Sequence, residues 1–170
     1  MIHCDIKLCV GCRMCEVACS AGHFGAVSPA LARIRVAKMD ETGIDLAIAC
    51  FSCKEKPCLE CPTEALSVGD RGEIVLDSDY CDACGLCAEA CPVGAVGFYE
   101  EPLFCDLCDG DPSCVKVCPS EALSYQPGKE VSLAPFLDVG GTPGQRRVHF
   151  AGVIAEPLRK GWAEGRRVDS

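Results

Sequence analysis

The chain has 170 residues, 17 of them cysteines, and a formal charge of −9. Residues 1–127 carry a net charge of −11 and residues 128–170 carry +2, which argues against nucleic acid as a partner and favours a cationic protein surface. No stretch approaches the roughly 18 apolar residues of a membrane span. The N-terminus shows no secretory signal, so we expect a cytoplasmic protein whose thiols stay reduced.

Short elements are predicted between the cysteines. Residues 33–39 alternate apolar and polar side chains as a strand does, and residues 44–48 could pair with them through a turn at 40–43. Residues 72–76 are expected to form another strand, and residues 87–91 and 114–118 single helical turns. The predicted fold class is α+β. The apolar core would be small, so bound metal would have to organise the fold.

Sixteen cysteines fall into four groups of four. Group one is Cys9, Cys12, Cys15 and Cys19; group two is Cys50, Cys53, Cys58 and Cys61; group three is Cys81, Cys84, Cys87 and Cys91; group four is Cys105, Cys108, Cys114 and Cys118. In the last three groups the fourth cysteine begins the same unit, Cys-Pro-x-x-Ala. Four near-copies of one short unit indicate an internal repeat. Group one departs from it, because Ser20 follows its last cysteine.

The spacing is that of [4Fe–4S] ligands. C-x2-C-x2-C lets one loop supply three thiolates, and the next cysteine, three residues on, ligates the other cluster of a two-cluster ferredoxin. Groups one and three have this spacing, group four lengthens one gap, and group two lengthens one gap and shortens the last. If group two is degenerate, three clusters remain. Zinc is disfavoured because its C-x2-C pairs are usually a dozen or more residues apart, and an odd number of cysteines excludes complete disulfide pairing.

Distances along the chain suggest nested modules within a four-cluster ferredoxin-like domain, residues 1–127. Residues 49–98 have the length of a two-cluster ferredoxin, inserted into an outer module made of residues 1–48 and 99–127. The predicted ligand sets are Cys9, Cys12, Cys15 and Cys118 for cluster 1; Cys105, Cys108, Cys114 and Cys19 for cluster 2; Cys50, Cys53, Cys58 and Cys91 for cluster 3; and Cys81, Cys84, Cys87 and Cys61 for cluster 4. Pairing of neighbouring groups, one with two and three with four, is the alternative.

Residues 128–170 contain no cysteine and several Gly and Pro turn residues. They are either a flexible tail or an extended C-terminal arm that docks on a partner. The second interpretation rests on apolar residues that a pure linker seldom has: Leu133, Phe136, Val148, Phe150, Val153, Ile154, Leu158 and Trp162. Cys4 lies outside every group and is expected to be a small buried residue. His3, His23 and His149 belong to no ligand pattern.

Four such groups, with the middle two inside a ferredoxin formed by the outer two, resemble the four-cluster iron–sulfur subunits of molybdenum and tungsten pterin oxidoreductases. The resemblance covers residues 1–127. The short chain is similar to the small subunit of tungsten aldehyde oxidoreductase complexes. The resemblance implies a line of clusters in the order group one, group four, group two and group three, with the group-one cluster nearest the catalytic subunit.

The resemblance also implies a function and partners. We expect no catalysis by this chain, which would carry single electrons in a hetero-oligomer, between a large catalytic Mo/W-pterin subunit and an FAD/NAD-binding subunit or a ferredoxin. No membrane partner is expected. A free-standing polyferredoxin or a hydrogenase-associated carrier is the alternative. An iron–sulfur regulator is a third class, but no DNA-binding helix or basic patch is evident.

Overall fold

The structure, a computed structural model, describes residues 1–40 and 42–163, with side chains described as far as residue 161. The side chain of Trp162, residues 164–170 of the C-terminal arm and Glu41 of the predicted turn lie outside the described residues. Within the described part, no helix is both long enough and apolar enough to cross a bilayer.

Eight short strands form four antiparallel pairs. They are β1 (Ile2–Cys4), β2 (Arg35–Met39), β3 (Ile44–Ile48), β4 (Leu66–Val68), β5 (Ile74–Leu76), β6 (Gly97–Tyr99), β7 (Glu101–Leu103) and β8 (Leu123–Tyr125). Three pairs are hairpins of consecutive strands, whereas β1 pairs with β8, with Cys4 opposite Leu123. The predicted pairing of residues 33–39 with 44–48 is confirmed by the β2–β3 hairpin. The β1–β8 pair brings the segment before group one to the segment after group four.

Short helices or 3-10 turns carry cysteines of every group. The helices are α1 (Met14–Phe24), α2 (Leu86–Ala90), α3 (Ser113–Lys116) and α4 (Pro143–Ala163), with 3-10 turns at Pro29–Leu31, Pro57–Leu59, Leu107–Gly110 and Ala134–Phe136. The single turns predicted for groups three and four are confirmed as α2 and α3. Helix α1 is longer because no proline follows Cys19. It continues to Phe24 and ends at Gly25, whose left-handed backbone donates its N–H to the carbonyl of Ala21.

The extended conformation predicted for the C-terminal arm is wrong over residues 143–163, which form helix α4. Phe150, Ala151, Ala155 and Leu158 share one buried face of α4, and this spacing stabilises a helix by packing. The helix continues through Pro157, although proline removes one backbone hydrogen bond.

The core lies between the β2–β3 hairpin, α1 and α4. Ile34 and Ile48 are completely buried there. Helix α4 packs against β2 and β3, and Phe150 places its ring centroid 5.3 Å from that of Phe51 and 5.0 Å from that of Phe136. The C-terminal segment therefore contributes to the same core as the cysteine-bearing region.

The segment that leads into α4 runs alongside the loop of group two. Lys54 donates its backbone N–H to the carbonyl of Val131 over 3.0 Å, and Leu133 donates its N–H to Glu55 over 2.9 Å. Leu133 is buried. Of the apolar residues that the sequence offered to a partner, Leu133, Phe150 and Leu158 are thus buried within this chain.

Candidate iron–sulfur sites

One backbone feature recurs in all four groups. The residue that precedes the second cysteine has a positive φ in each: Gly11 (61°), Ser52 (47°), Ala83 (57°) and Leu107 (59°). Non-glycine residues adopt this conformation at a cost of about 1–3 kcal/mol, and such strain persists where the surroundings require it. Because group two shares the feature, its first loop has the same shape as the others despite its irregular spacing.

A second positive φ follows each Cys-Pro unit. Three residues after the fourth cysteine of groups two, three and four stand Glu64 (56°), Gly94 (60°) and Glu121 (53°). The repeat seen in the sequence is therefore also a repeat of backbone conformation. In group one, α1 occupies the corresponding place.

The cysteines of the predicted cluster 1 line one cavity: Cys9, Cys12, Cys15 and Cys118. The β1–β8 pair places Cys118 there, at the far end of the chain from group one. Gly11 has space only for a hydrogen atom, since a Cβ would overlap the carboxylate of Asp45. The N–H of Gly11 bonds to the sulfur of Cys9 and helps to lower its pKa, so the loop is shaped to point amides at sulfur.

Cys4 is buried, as expected, but it also contacts a predicted ligand. Its thiol forms a hydrogen bond with Cys9, which lowers the pKa of Cys9 to about 6 and raises that of Cys4. Sequence reasoning missed this contact because Cys4 lies on β1 and in no spacing pattern. Alternation along β1, which turns Ile2 and Cys4 inward together, is the signal that could have found it.

The cysteines of the predicted cluster 4 line a second cavity: Cys61, Cys81, Cys84 and Cys87. Burial, followed by the charges of the neighbouring thiols of Cys61 and Cys81, raises the pKa of Cys87 to about 11. The hydroxyl of Thr63 lies 3.4 Å from the sulfur of Cys61, and hydrogen bonds from Thr63 lower the pKa of that thiol. Group two thus contributes its last cysteine to the loop of group three.

The cysteines of the predicted cluster 3 are also neighbours. Burial raises the pKa of Cys58 to about 12, and the next contributions come from Cys50, Cys91 and Cys53. The 3-10 turn Pro57–Leu59 places Cys58 in this set, and Ala95 donates its N–H to the sulfur of Cys91 over 3.2 Å. The shortened end of group two therefore separates Cys58 and Cys61 into two different sets.

The predicted cluster 2 set joins groups four and one. Helix α1 packs on α3, and burial raises the pKa of Cys114 to about 12, with further contributions from Cys19 and Cys108. Arg33 donates its N–H to the sulfur of Cys19 over 3.2 Å. The ring nitrogen Nε2 of His23 lies 3.7 Å from the sulfur of Cys108. Burial raises the pKa of Cys105 as well.

Adjacent sets lie near one another. Cys15 of the cluster 1 set and Cys19 of the cluster 2 set lie about one turn apart on α1, which packs on α3, the helix that carries Cys114. Burial and Glu16 raise the pKa of Cys15 to about 12, and the charge of Cys114 contributes after them. Burial likewise raises the pKa of Cys105, and the charge of Cys50 from the third set contributes to that shift. The cluster 1 set therefore lies beside the cluster 2 set, and the cluster 2 set lies near the cluster 3 set.

The donor sets fit iron–sulfur clusters. Each set offers four sulfurs from two separate loops, and backbone N–H groups or hydroxyls point at several of those sulfurs. Buried thiols with raised pKa values must lose their protons to bind iron, and the metal charge compensates for that cost. The family profile of the 4Fe-4S binding domain matches residues 74–96, which include all four cysteines of group three. This match and the four cysteine groups together support iron–sulfur clusters in this chain.

Curated relatives share this character. The polyferredoxin-like subunit of aliphatic sulfonate oxidoreductase from Pyrococcus furiosus is 44% identical over 86 residues, which are 49% of this chain and 49% of the relative. The formate dehydrogenase iron-sulfur subunit of Wolinella succinogenes is 35% identical over 107 residues, 60% of this chain and 52% of the relative. The chain spans about half the length of these relatives. It is similar to iron–sulfur subunits rather than to catalytic enzymes.

One solved structure aligns with nearly the whole chain. A chain of the active site complex BamBC of benzoyl coenzyme A reductase with benzoyl-CoA is 27% identical and aligns over 96% of this chain and 97% of that chain, with a TM-score of 0.46.

Proposed function

We propose that this chain is a non-catalytic subunit that relays single electrons through four [4Fe–4S] clusters, between a catalytic Mo/W-pterin subunit and a second redox partner. The proximity of adjacent sets carries the proposal. Helix α1 bears Cys15 of the first set and Cys19 of the second, and Cys105 of the second set lies near Cys50 of the third. The 3-10 turn that holds Cys58 packs on α2, which follows the loop of the cluster 4 set and so extends this series of neighbouring sets to it. When bound, each cluster takes up and releases one electron.

The four ligand sets are those predicted from the sequence, with sixteen cysteines from Cys9 to Cys118 as iron ligands. Residues 49–98 serve as the inner module, within the outer module of residues 1–48 and 99–127. The shared cavities of Cys118 with group one and of Cys61 with group three support this nesting. The protein's part is to place the sulfurs, bury them and donate hydrogen bonds to them, which together set the reduction potentials.

The partners are proposed from chemistry and similarity together. The similarity to a formate dehydrogenase subunit and to an aliphatic sulfonate oxidoreductase subunit supports a large oxidoreductase partner, here a tungsten or molybdenum pterin enzyme such as an aldehyde oxidoreductase. A flavoprotein that binds FAD and NAD, or a ferredoxin, would take the electrons onward. We place this complex in the cytoplasm, where thiols stay reduced for iron.

Helix α4 keeps a proposed docking role. Val148, Val153 and Ile154 of α4 are exposed, whereas Phe150 and Leu158 are buried. Residues 128–170 would therefore dock through exposed apolar side chains of a helix that itself packs on β2 and β3.

Isolation of the complex tests this proposal. The chain would be affinity-tagged, purified anaerobically from its native cells, and its partner analysed for metals and pterin. We expect a stoichiometric large subunit with tungsten or molybdenum and a pterin. A nickel–iron hydrogenase would support the hydrogenase-associated alternative, and recovery of the chain alone with its clusters would indicate a free polyferredoxin. Either result would contradict the proposed partner.

A further inference from the structure

Helix α4 inserts a buried arginine beside a predicted cluster ligand. Arg146 is only 7% exposed, and its guanidinium donates to three carbonyl oxygens. Nη1 donates to the carbonyls of Glu89 and Cys91, the latter over 2.7 Å, and Nε donates to that of Gly141 over 3.1 Å. These bonds hold the guanidinium against the backbone of Cys91, where α2 ends.

The charge of Arg146 has no acidic partner in the part of the chain that the structure describes. No aspartate or glutamate there forms an ion pair with it, and its bonds go to neutral carbonyls. A buried charge without a counter-charge is strongly unfavourable. Four thiolates and an oxidised cubane core of charge about +2 together carry a net charge of about −2. Cys91 belongs to such a set of thiolates. That anionic set is a counter-charge suited to Arg146.

The arginine contact distinguishes the turn after Cys91 from the other two Cys-Pro turns. Arg147 adds a second bond, from Nη1 to the carbonyl of Gly94 over 2.5 Å, so two arginines hold the turn that follows Cys91. The corresponding turns follow Cys61 and Cys118. Within the described residues, no arginine side chain donates to either of them. The sequence repeat makes the three turns alike, and α4 makes one of them different.

We propose that Arg146 is a positioning residue and counter-ion for the cluster held by Cys50, Cys53, Cys58 and Cys91, and that it raises the reduction potential of that cluster. The inference rests on the proposed function, since it assumes that Cys91 ligates a cluster. Reduction adds one electron and no proton, so it adds one negative charge to the set. A fixed buried cation stabilises the reduced state more than the oxidised one. Helix α4 thereby links the C-terminal segment to the redox properties of the inner module.

The test compares variants of the full cluster-loaded chain by redox titration with dithionite, followed by electron paramagnetic resonance. Arg146→Met removes the charge and keeps an apolar stem of similar length, whereas Arg146→Lys keeps the charge. Arg159→Met is the matched control, because Arg159 lies on the same helix but is exposed. Cys91→Ser identifies the spectral component that belongs to the cluster in question.

In Arg146→Met we expect the component altered by Cys91→Ser to become harder to reduce. At a fixed potential its ratio of reduced to oxidised cluster should fall on the order of tenfold, which corresponds to about 59 mV for a one-electron couple. The other components should not move. Arg146→Lys should shift the same component less, and Arg159→Met should shift none.

Three results would overturn the inference: equal shifts in the Met and Lys variants, no shift in a fully loaded Met variant, or equal shifts of all components. If the Arg146→Met variant does not bind this cluster, the Arg146→Lys variant decides between the outcomes. A Lys variant that binds the cluster with a reduction potential near that of the wild type supports a role for the charge, and a Lys variant that does not bind the cluster contradicts it. If the spectrum of the loaded Cys91→Ser variant differed in no component from that of the loaded wild type, the proposed function itself would be refuted.

Discussion

At the scale of single residues, the sites depend on backbone conformations that few side chains favour. Ser52, Ala83 and Leu107 stand where group one has Gly11, all with positive φ, immediately before a cysteine. The conformation turns backbone N–H groups toward the sulfur of the cysteine two positions earlier. Burial raises the pKa of Cys50 and Cys105, and hydrogen bonds from the backbone of Ser52 and Leu107 oppose that rise. At Cys9 the hydrogen bond from Cys4 lowers the pKa most, and the backbone N–H of Gly11 adds to it. The same positive φ thus recurs in each ligand loop, immediately before its second cysteine.

The exchange of the fourth cysteine is also a property of single residues. Cys118 lines the cavity of group one, so Cys118→Ser should alter the same spectral component as Cys12→Ser. One altered ligand among four leaves that cluster labile or with a changed g-tensor and leaves the others intact. The measurement is electron paramagnetic resonance of the reduced variants, with Cys84→Ser as the control that alters another component. If Cys118→Ser matched Cys114→Ser instead, each group would keep its own fourth cysteine and the nesting would be wrong.

At the scale of elements, local loops were predictable and the C-terminal helix was not. The C-x2-C spacing limits the loop to a tight turn, so group positions and short helical turns followed from the sequence. Helix α4 follows Gly140 and Gly141 and begins at Pro143, all residues that indicated turns, and its stability comes from packing of Phe150 on Phe51, far away in sequence. The contact of Cys4 with Cys9 was missed for a similar reason, since it depends on the tertiary placement of β1.

The junction between α4 and the inner module gives a prediction at this scale. Gly94 has a φ of 60°, but Glu64 and Glu121 adopt the same conformation in the sister turns, so conformation alone does not require glycine. A Cβ at Gly94 would overlap the carbonyl of Pro143, at the start of α4. We expect Gly94→Ala to weaken the contact by about 2 kcal/mol beyond the cost of the positive φ.

Gly25→Ala is the matched control. Gly25 has a φ of 64°, and a Cβ there meets nothing within 4 Å. Because cluster proteins unfold irreversibly, the measurement is the rate at which cluster absorption is lost on anaerobic heating. Gly94→Ala should lose it roughly thirtyfold faster than Gly25→Ala, because about 2 kcal/mol corresponds to that factor at about 1.4 kcal/mol per tenfold. Equal rates would mean that α4 does not hold this turn.

At the scale of the whole molecule, the four proposed sets of cysteines would hold distant parts of the chain together once clusters are bound. The cluster 1 set joins group one to Cys118, and the cluster 4 set joins group three to Cys61, so each bound cluster would close a long loop of chain. Charge acts at the same scale. Four clusters would take residues 1–127 from a net −11 to about −19 on ligand count, which favours a cationic docking surface.

We propose that all four groups, the irregular group two included, take part in four clusters. The most direct test is the content of iron and acid-labile sulfide in the anaerobically reconstituted full chain, normalised by amino-acid analysis. Four cubanes predict about sixteen of each per chain. A reproducible value near twelve of each would contradict the account, because one of the four sets would then hold no cluster.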